Sequence, residues 1–190
     1  MPQPQASAAA DPAGDCRPSA EAAAPTPRRL ILDTNIVIDL LHFADPATVW
    51  LNEPIAAGQL RCHATQECID ELASVLPRPQ FRLDAAAVER ILARYRALVT
   101  LVDVSPLDAA VIDAIPRCRD RDDQKFIVLA AAVPADLLIT RDRELLRLAR
   151  PGRRPPPCPI MNAVAARDWL AASAALALAR AGAADQATQA

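Results

Sequence analysis

Aromatic residues are scarce in this chain: Phe, Tyr and Trp make up 3% of its 190 residues. Base stacking of the kind used by single-strand-binding proteins is therefore not indicated. The core must come from Leu, Ile and Val. Glycine is equally rare, with four in all. No G-x-G-x-x-G follows the first apolar run, which argues against a dinucleotide-binding module. The five cysteines, Cys16, Cys62, Cys68, Cys118 and Cys158, include no C-x-x-C pair. Neither a disulfide framework nor a zinc site is expected, and a reducing cytosol fits. Positive charge is not in excess either, since the formal net charge is −2. That excludes nucleic-acid binding through global charge, but not a nuclease that gathers cations at an acidic site. No basic start followed by an apolar core is present, and no run approaches the ~20 apolar residues of a membrane span. The expectation is a cytoplasmic protein with no membrane contact.

What is there is an Ala-heavy apolar fraction of 52%, and the length suits one domain with tails. Residues 1–27 are Ala, Pro and Ser with almost no large apolar side chain, and read as a disordered extension. Residues 28–172 form the expected domain, and 173–190 an Ala-rich tail. Apolar runs at 29–32, 60–63, 99–104, 137–139 and 159–161 read as strands. Between them lie helical patterns, such as Cys68, Ile69, Leu72, Val75 and Leu76 after a Thr65 cap. Helices are also expected from Asp45-Pro46 and from Ser105-Pro106. Alternating strands and helices predict a parallel sheet covered on both faces.

The organising stretch is Leu30-Ile31-Leu32-Asp33-Thr34-Asn35, where a buried strand ends abruptly in an acid. Open α/β sheets place their sites outside the carboxyl ends of their strands. The event recurs at Leu137-Leu138-Ile139-Thr140-Arg141-Asp142. A third acid, Asp123, opens a helix, and Glu71 lies in the helix after the second strand. Each alone reads as an N-cap or a solvated helix acid. Together, on one sheet edge, they would repel one another unless a cation neutralised them. Oxygen-only ligation of that kind suits Mg²⁺ or Mn²⁺. Such an ion lowers the pKa of bound water and stabilises in-line displacement at phosphorus. The composite expectation is a metal-dependent phosphodiesterase or phosphatase.

The chain also resembles a known family. Leu32-Asp33-Thr34-Asn35-Ile36, Glu71-Leu72, Asp-x-Lys-Phe-x-x-x-Ala at 123–130, and Leu138-Ile139-Thr140-Arg141-Asp142 followed by Glu144-Leu145-Leu146 occur in order. The set, spanning about 29–170, is similar to PIN-domain nucleases of the branch labelled as toxins of toxin–antitoxin pairs. The resemblance implies a three-layer α/β/α sandwich around a central parallel sheet of four to five strands. It also implies an Mg²⁺- or Mn²⁺-dependent ribonuclease acting on RNA, and frequently a homodimer held by a neutralising antitoxin. Carried over by position, Asp33, Glu71, Asp123 and Asp142 would be the catalytic metal ligands. Asn35, Thr65, Thr140 and Arg141 would support these carboxylates or the substrate. Asp120 and Asp122 crowd the loop of Asp123, although the spacing to Phe126 and Ala130 favours Asp123. Glu67, one turn before Glu71, competes to be the inward acid.

Arg141, Arg143, Arg147, Arg150, Arg153 and Arg154 lie downstream of the fourth acid, and Arg117, Arg119 and Arg121 upstream of the third. They read either as a solvated face or as rims that track phosphates. Asp39 reads as a half-exposed helix acid or interface group, and His42 and His63 as surface or packing residues. Two other functions compete. A haloacid-dehalogenase-type phosphatase also begins with an Asp after the first strand, but wants an acid where Asn35 stands. A domain that keeps the acids yet only binds RNA or a partner is the non-enzymatic alternative.

Overall fold

The computed structural model describes residues 26–188, so the expectation for 1–27 falls almost wholly outside it. Five strands form one parallel sheet: β1 (Arg28–Leu32), β2 (Leu60–Ala64), β3 (Val99–Leu101), β4 (Leu137–Ile139) and β5 (Ile160–Met161). Their spatial order is β3-β2-β1-β4-β5. The helices are α1 (Thr34–Ile38), α2 (Asn52–Ala56), α3 (Gln66–Val75), α4 (Ala85–Leu98), α5 (Ala109–Ala114), α6 (Gln124–Ala132), α7 (Arg143–Leu148) and α8 (Ala163–Thr188). This is the expected three-layer α/β/α sandwich. The helix α8 continues through much of the stretch expected as a tail.

β1 and β4 are apolar along their inner lengths because helices cover both faces of a parallel sheet. Leu30, Ile31, Leu137, Leu138 and Ile139 are all 0% exposed. α6 and α8 pack on β4, α6 also on β1, and α3 packs on α4 and α1. The apolar residues of α4, Val88, Ile91, Leu92 and Tyr95, are buried at helical spacing, and the Asp84 carboxylate caps its start by accepting from the Ala87 N–H at 2.6 Å. Phe126, Ile127, Leu129 and Ala130 form the buried stripe of α6.

The chain runs outward from β1 through β2 to β3, then returns to lay β4 on the other side of β1. The order in which strands are added thus reverses between β1 and β4, and at such a switch point the loops diverge and leave a crevice. Register sharpens this. Leu32 pairs with Ile139, so the residues that follow, Asp33 and Thr140, leave the sheet side by side.

Three local expectations differ from the structure, each through competition from a short polar side chain. Asp45 does not open a helix. Its carboxylate accepts from the Ala47 N–H at 2.7 Å in a turn, and helical rotation begins with a 3-10 turn at Val49–Leu51. The third strand stops at Leu101, because Asp103 accepts from the Ser105 N–H at 2.9 Å and turns the chain. Asp108, rather than Ser105, caps the next helix through the Ala110 N–H at 2.8 Å. α1 also continues into one π-helical turn, Asp39–Phe43, ended by Ala44 in the left-handed region at φ 48°. Among the described residues, no helix is long and apolar enough to cross a membrane.

Candidate functional site

Asp33 is 4% exposed. Its backbone N–H still belongs to the sheet, donating to the Ile139 carbonyl at 3.0 Å, while its φ and ψ of −62° and 151° precede α1. It makes no side-chain capping bond to that helix. The carboxylate instead turns to the neighbouring strand end. Thr140 donates its hydroxyl to Oδ2, and Asn35 Nδ2 donates to the same oxygen at 2.5 Å. Burial raises the Asp33 pKa above its ordinary 3.8, these hydrogen bonds oppose the rise, and the Glu71 charge adds to it.

The β4 end is tied to the β1 end by a short relay. Asp142 donates its N–H to Thr140 Oγ1 at 2.8 Å, and the Arg141 N–H donates to Asn35 Oδ1 at 3.3 Å. The Asp142 carboxylate caps α7, accepting from the N–H groups of Glu144 at 2.7 Å and Leu145 at 3.0 Å. The capping reading of Asp142 is therefore correct, and does not remove it from the acidic edge. Its charge is one of those that raise the Asp123 pKa.

The loop before α6 is held by Gln124. Its side-chain oxygen accepts from the Cys118 N–H at 2.7 Å, and its amide donates to the Pro116 carbonyl at 3.2 Å. Asp120 and Asp122 are exposed, whereas Asp123 is half-buried. Asp123 is thus the inward acid of its loop. Its pKa is pushed from 3.8 up to about 7, first by burial and then by the charges of Asp33, Asp142 and Asp120, with Lys125 opposing.

On α3 the choice between acids is equally plain. Glu67 is exposed. Glu71 accepts a hydrogen bond from the Thr34 hydroxyl and lies 3.4 Å from the Lys125 ammonium. Thr65 is buried, but its hydroxyl serves its own helix, accepting from the Cys68 N–H at 3.4 Å. It therefore positions α3 rather than touching a carboxylate. Thr34 and Lys125 are contributors that sequence reasoning missed. Adjacency to Asp33 in an Asp-Thr-Asn run, and a Lys two places after Asp123, were the available signals.

Asp39 is not half-exposed as expected. It is 5% exposed, and Arg141 Nη1 reaches its Oδ2 at 3.2 Å. Burial raises the Asp39 pKa, Arg141 opposes the rise, and Asp45 adds to it. Of the expected basic rims, Arg147 is taken up by Glu144, and Arg154 donates to the Asp113 carbonyl at 2.5 Å. Arg119 and Arg121 line a hollow of about 360 Å³ with Asp120 and Glu144, between the α6 loop and α7. A separate apolar hollow of about 490 Å³, lined by Val111, Ile115, Ala130 and Pro157 among others, contains none of the acids.

Oxygen donors dominate the crevice, and hard divalent cations prefer such donors. Burial first, and then the charges of Asp33, Asp142 and Asp120, raise the Asp123 pKa, and a cation would relieve the second of these causes. Among the described residues, no three His, Cys, Asp or Glu side chains are grouped closely enough to hold an ion as they stand. Asp33, Asp142 and Glu71 are each engaged by internal donors instead. These donors gather on one oxygen of each carboxylate, Oδ2 of Asp33, Oδ1 of Asp142 and Oε2 of Glu71, and leave the other oxygen for an ion.

A parallel α/β/α sandwich with acids at its switch point is one plan for a phosphodiester-cleaving domain. The PIN-domain family model matches residues 29–144, and the chain belongs to that family, whose members are nucleases and generally depend on divalent metal. No curated protein sequence matches the chain. Among solved structures, the chain is similar in fold to VapBC2 from Rickettsia felis, determined bound to a DNA fragment from its promoter. The TM-score is 0.52 at 14% identity, over 70% of this chain and 98% of that one.

Proposed function

We propose that this chain is an endoribonuclease that hydrolyses RNA phosphodiester bonds with Mg²⁺ or Mn²⁺, acting as the toxin of a toxin–antitoxin pair. The observation that carries the reading is the pairing of Asp33 and Asp142 through Thr140 at the ends of β1 and β4, with the charges of both reaching Asp123 and that of Glu71 reaching Asp33. Asp33, Asp123 and Asp142 would hold the cation. A bound divalent ion supplies an activated water and charge stabilisation at phosphorus.

The chain's own residues do the rest. Thr140 and Asn35 fix Asp33 through its Oδ2. Arg141, anchored on buried Asp39 with its side chain more than half exposed, would meet a phosphate beside the scissile one. Arg119 and Arg121 extend that contact along the loop.

Cleavage of single-stranded RNA that needs added Mn²⁺ or Mg²⁺, and vanishes in Asp33→Asn, is the expected result. RNA binding without cleavage in the unmodified chain would favour the binding module instead. Hydrolysis of a small phosphate monoester but not of RNA would favour the phosphatase. The toxin role rests on the motif resemblance and on the VapBC2 fold likeness. It predicts that co-expression with the product of the adjacent reading frame yields a stable complex in which cleavage is suppressed. The homodimer belongs to the same proposal and is tested by sedimentation.

A further inference from the structure

The chain carries 21 Lys and Arg residues, and Lys125 is its single lysine. That lysine sits inside the acidic crevice. Its side chain is only 7% exposed, and its ammonium lies 3.4 Å from Glu71 Oε2. It also donates to the Asp122 carbonyl and stands 4.9 Å from the centre of the Phe126 ring. Burying an ammonium is costly unless it is paired. The position is unfavourable for a second reason: Lys125 is in the first turn of α6, where the helix dipole opposes a positive charge. Elsewhere the chain uses arginine for every cation. Lysine offers a compact point charge, where the planar guanidinium needs room for a fork of donors. Carboxylates are therefore what keeps this ammonium buried, and Glu71 is the one it touches.

We propose that Lys125 is a built-in cation that neutralises Glu71, so that the acidic edge takes one divalent ion, on Asp33, Asp123 and Asp142, rather than two. The inference rests on the proposed metal-dependent reading and divides its four acids by task. Glu71, bridged by Thr34 and Lys125, becomes a positioning residue that ties α3 to α1 and α6. The other three acids face the ion.

Calorimetric titration with Mn²⁺ alone, paired with electron paramagnetic resonance of the bound ion, tests this on the full chain. The unmodified protein is expected to bind about one Mn²⁺ per chain. Glu71→Gln should leave that affinity within about threefold, while Asp33→Asn should weaken it by about tenfold or more. Lys125→Met frees the Glu71 carboxylate, and should raise the uptake to about two ions. Lys125→Arg, which keeps the charge, should leave it at one. Two ions on the unmodified chain, or loss of binding in Glu71→Gln, would overturn the inference while leaving the metal-dependent reading intact. Unchanged uptake in a folded Lys125→Met protein would also overturn it, since that is what a merely structural lysine gives. No Mn²⁺ uptake by the unmodified chain would remove both readings together. If Lys125→Met fails to fold, the Glu71→Gln and Asp33→Asn titrations still decide.

Discussion

Asp123→Asn should stabilise the protein in EDTA at pH 8, although it removes a residue of the acidic edge. Burial and the charges of Asp33, Asp142 and Asp120 raise the Asp123 pKa from 3.8 to about 7. The folded protein therefore keeps a proton that the unfolded chain releases near pH 4. Stability falls as pH rises between about 4 and 7, and above 7 the ionised carboxylate carries its full penalty. At about 1.4 kcal/mol per pH unit, the whole interval has an upper limit of about 4 kcal/mol. Asp123 is only half-buried, and solvent screening reduces that figure to about 2 kcal/mol. For a domain of this size the gain corresponds to a rise in Tm of about 4–8 °C. Thermal melts of both proteins in EDTA at pH 5 and pH 8 measure it. At pH 5 only about a third of the interval between the unfolded and folded pKa values has been crossed, so the difference between the proteins should shrink to about a third of its pH 8 value. Added Mn²⁺ should stabilise the unmodified chain and not the variant. A variant equally destabilised at both pH values would refute the crowded-charge reading of this edge.

Thr140→Val removes the hydroxyl that donates to Asp33 and accepts from the Asp142 N–H. It should cost about 1–3 kcal/mol in urea denaturation and lower the RNA cleavage rate by about tenfold or more. Arg141→Ala should raise KM for RNA more than it lowers kcat, and flatten the salt dependence of binding by about one ion. It should also leave the buried Asp39 carboxylate unpaired, which denaturation near pH 8 would register as a loss of stability. Glu67→Gln, on the exposed face of α3, should change neither cleavage nor ion uptake, in contrast to Asp33→Asn. Leu138→Ala, at a position 0% exposed in β4, should cost about 2–5 kcal/mol.

The sheet was legible because its signal is local. Apolar runs ending in a polar residue and an acid located β1 and β4, and alternation with helices implied parallel strands. The four acids were proposed as a set from the same local signal. Choosing among them needed packing. Glu67 and Glu71 lie on one helix four residues apart, and only the placement of Thr34 and Lys125 beside the second shows which turns inward. Asp39 was read as half-exposed because an acid beside Ile38 and Leu40 ordinarily marks a solvated helix face, whereas it is 5% exposed and paired with Arg141, distant in sequence. The short polar turns at Asp45, Asp103 and Asp108 shifted element boundaries, since such side chains compete with helix and strand for backbone donors. None of these signals is a periodicity.

The acids of the crevice differ in the donors that face each carboxylate. Asp33 has a hydroxyl and an amide on one oxygen. Asp142 has the N–H groups at the start of α7. Glu71 has a hydroxyl and an ammonium. Asp123 precedes α6 without a side-chain capping bond, and meets the charges of its neighbours with only Lys125 in opposition. Hydrogen bonds to an ionised carboxylate favour that form, while nearby anions disfavour it. Burial and neighbouring anions push the Asp123 pKa up to about 7, so this acid has a proton to lose to an arriving cation. Ion uptake at this edge should accordingly release a proton from Asp123, and Mn²⁺ affinity should fall as pH drops below about 7. Titrations in two buffers of different ionisation enthalpy read that release directly at pH 6.5. An affinity independent of pH between 6 and 8 would mean that the ion does not engage Asp123.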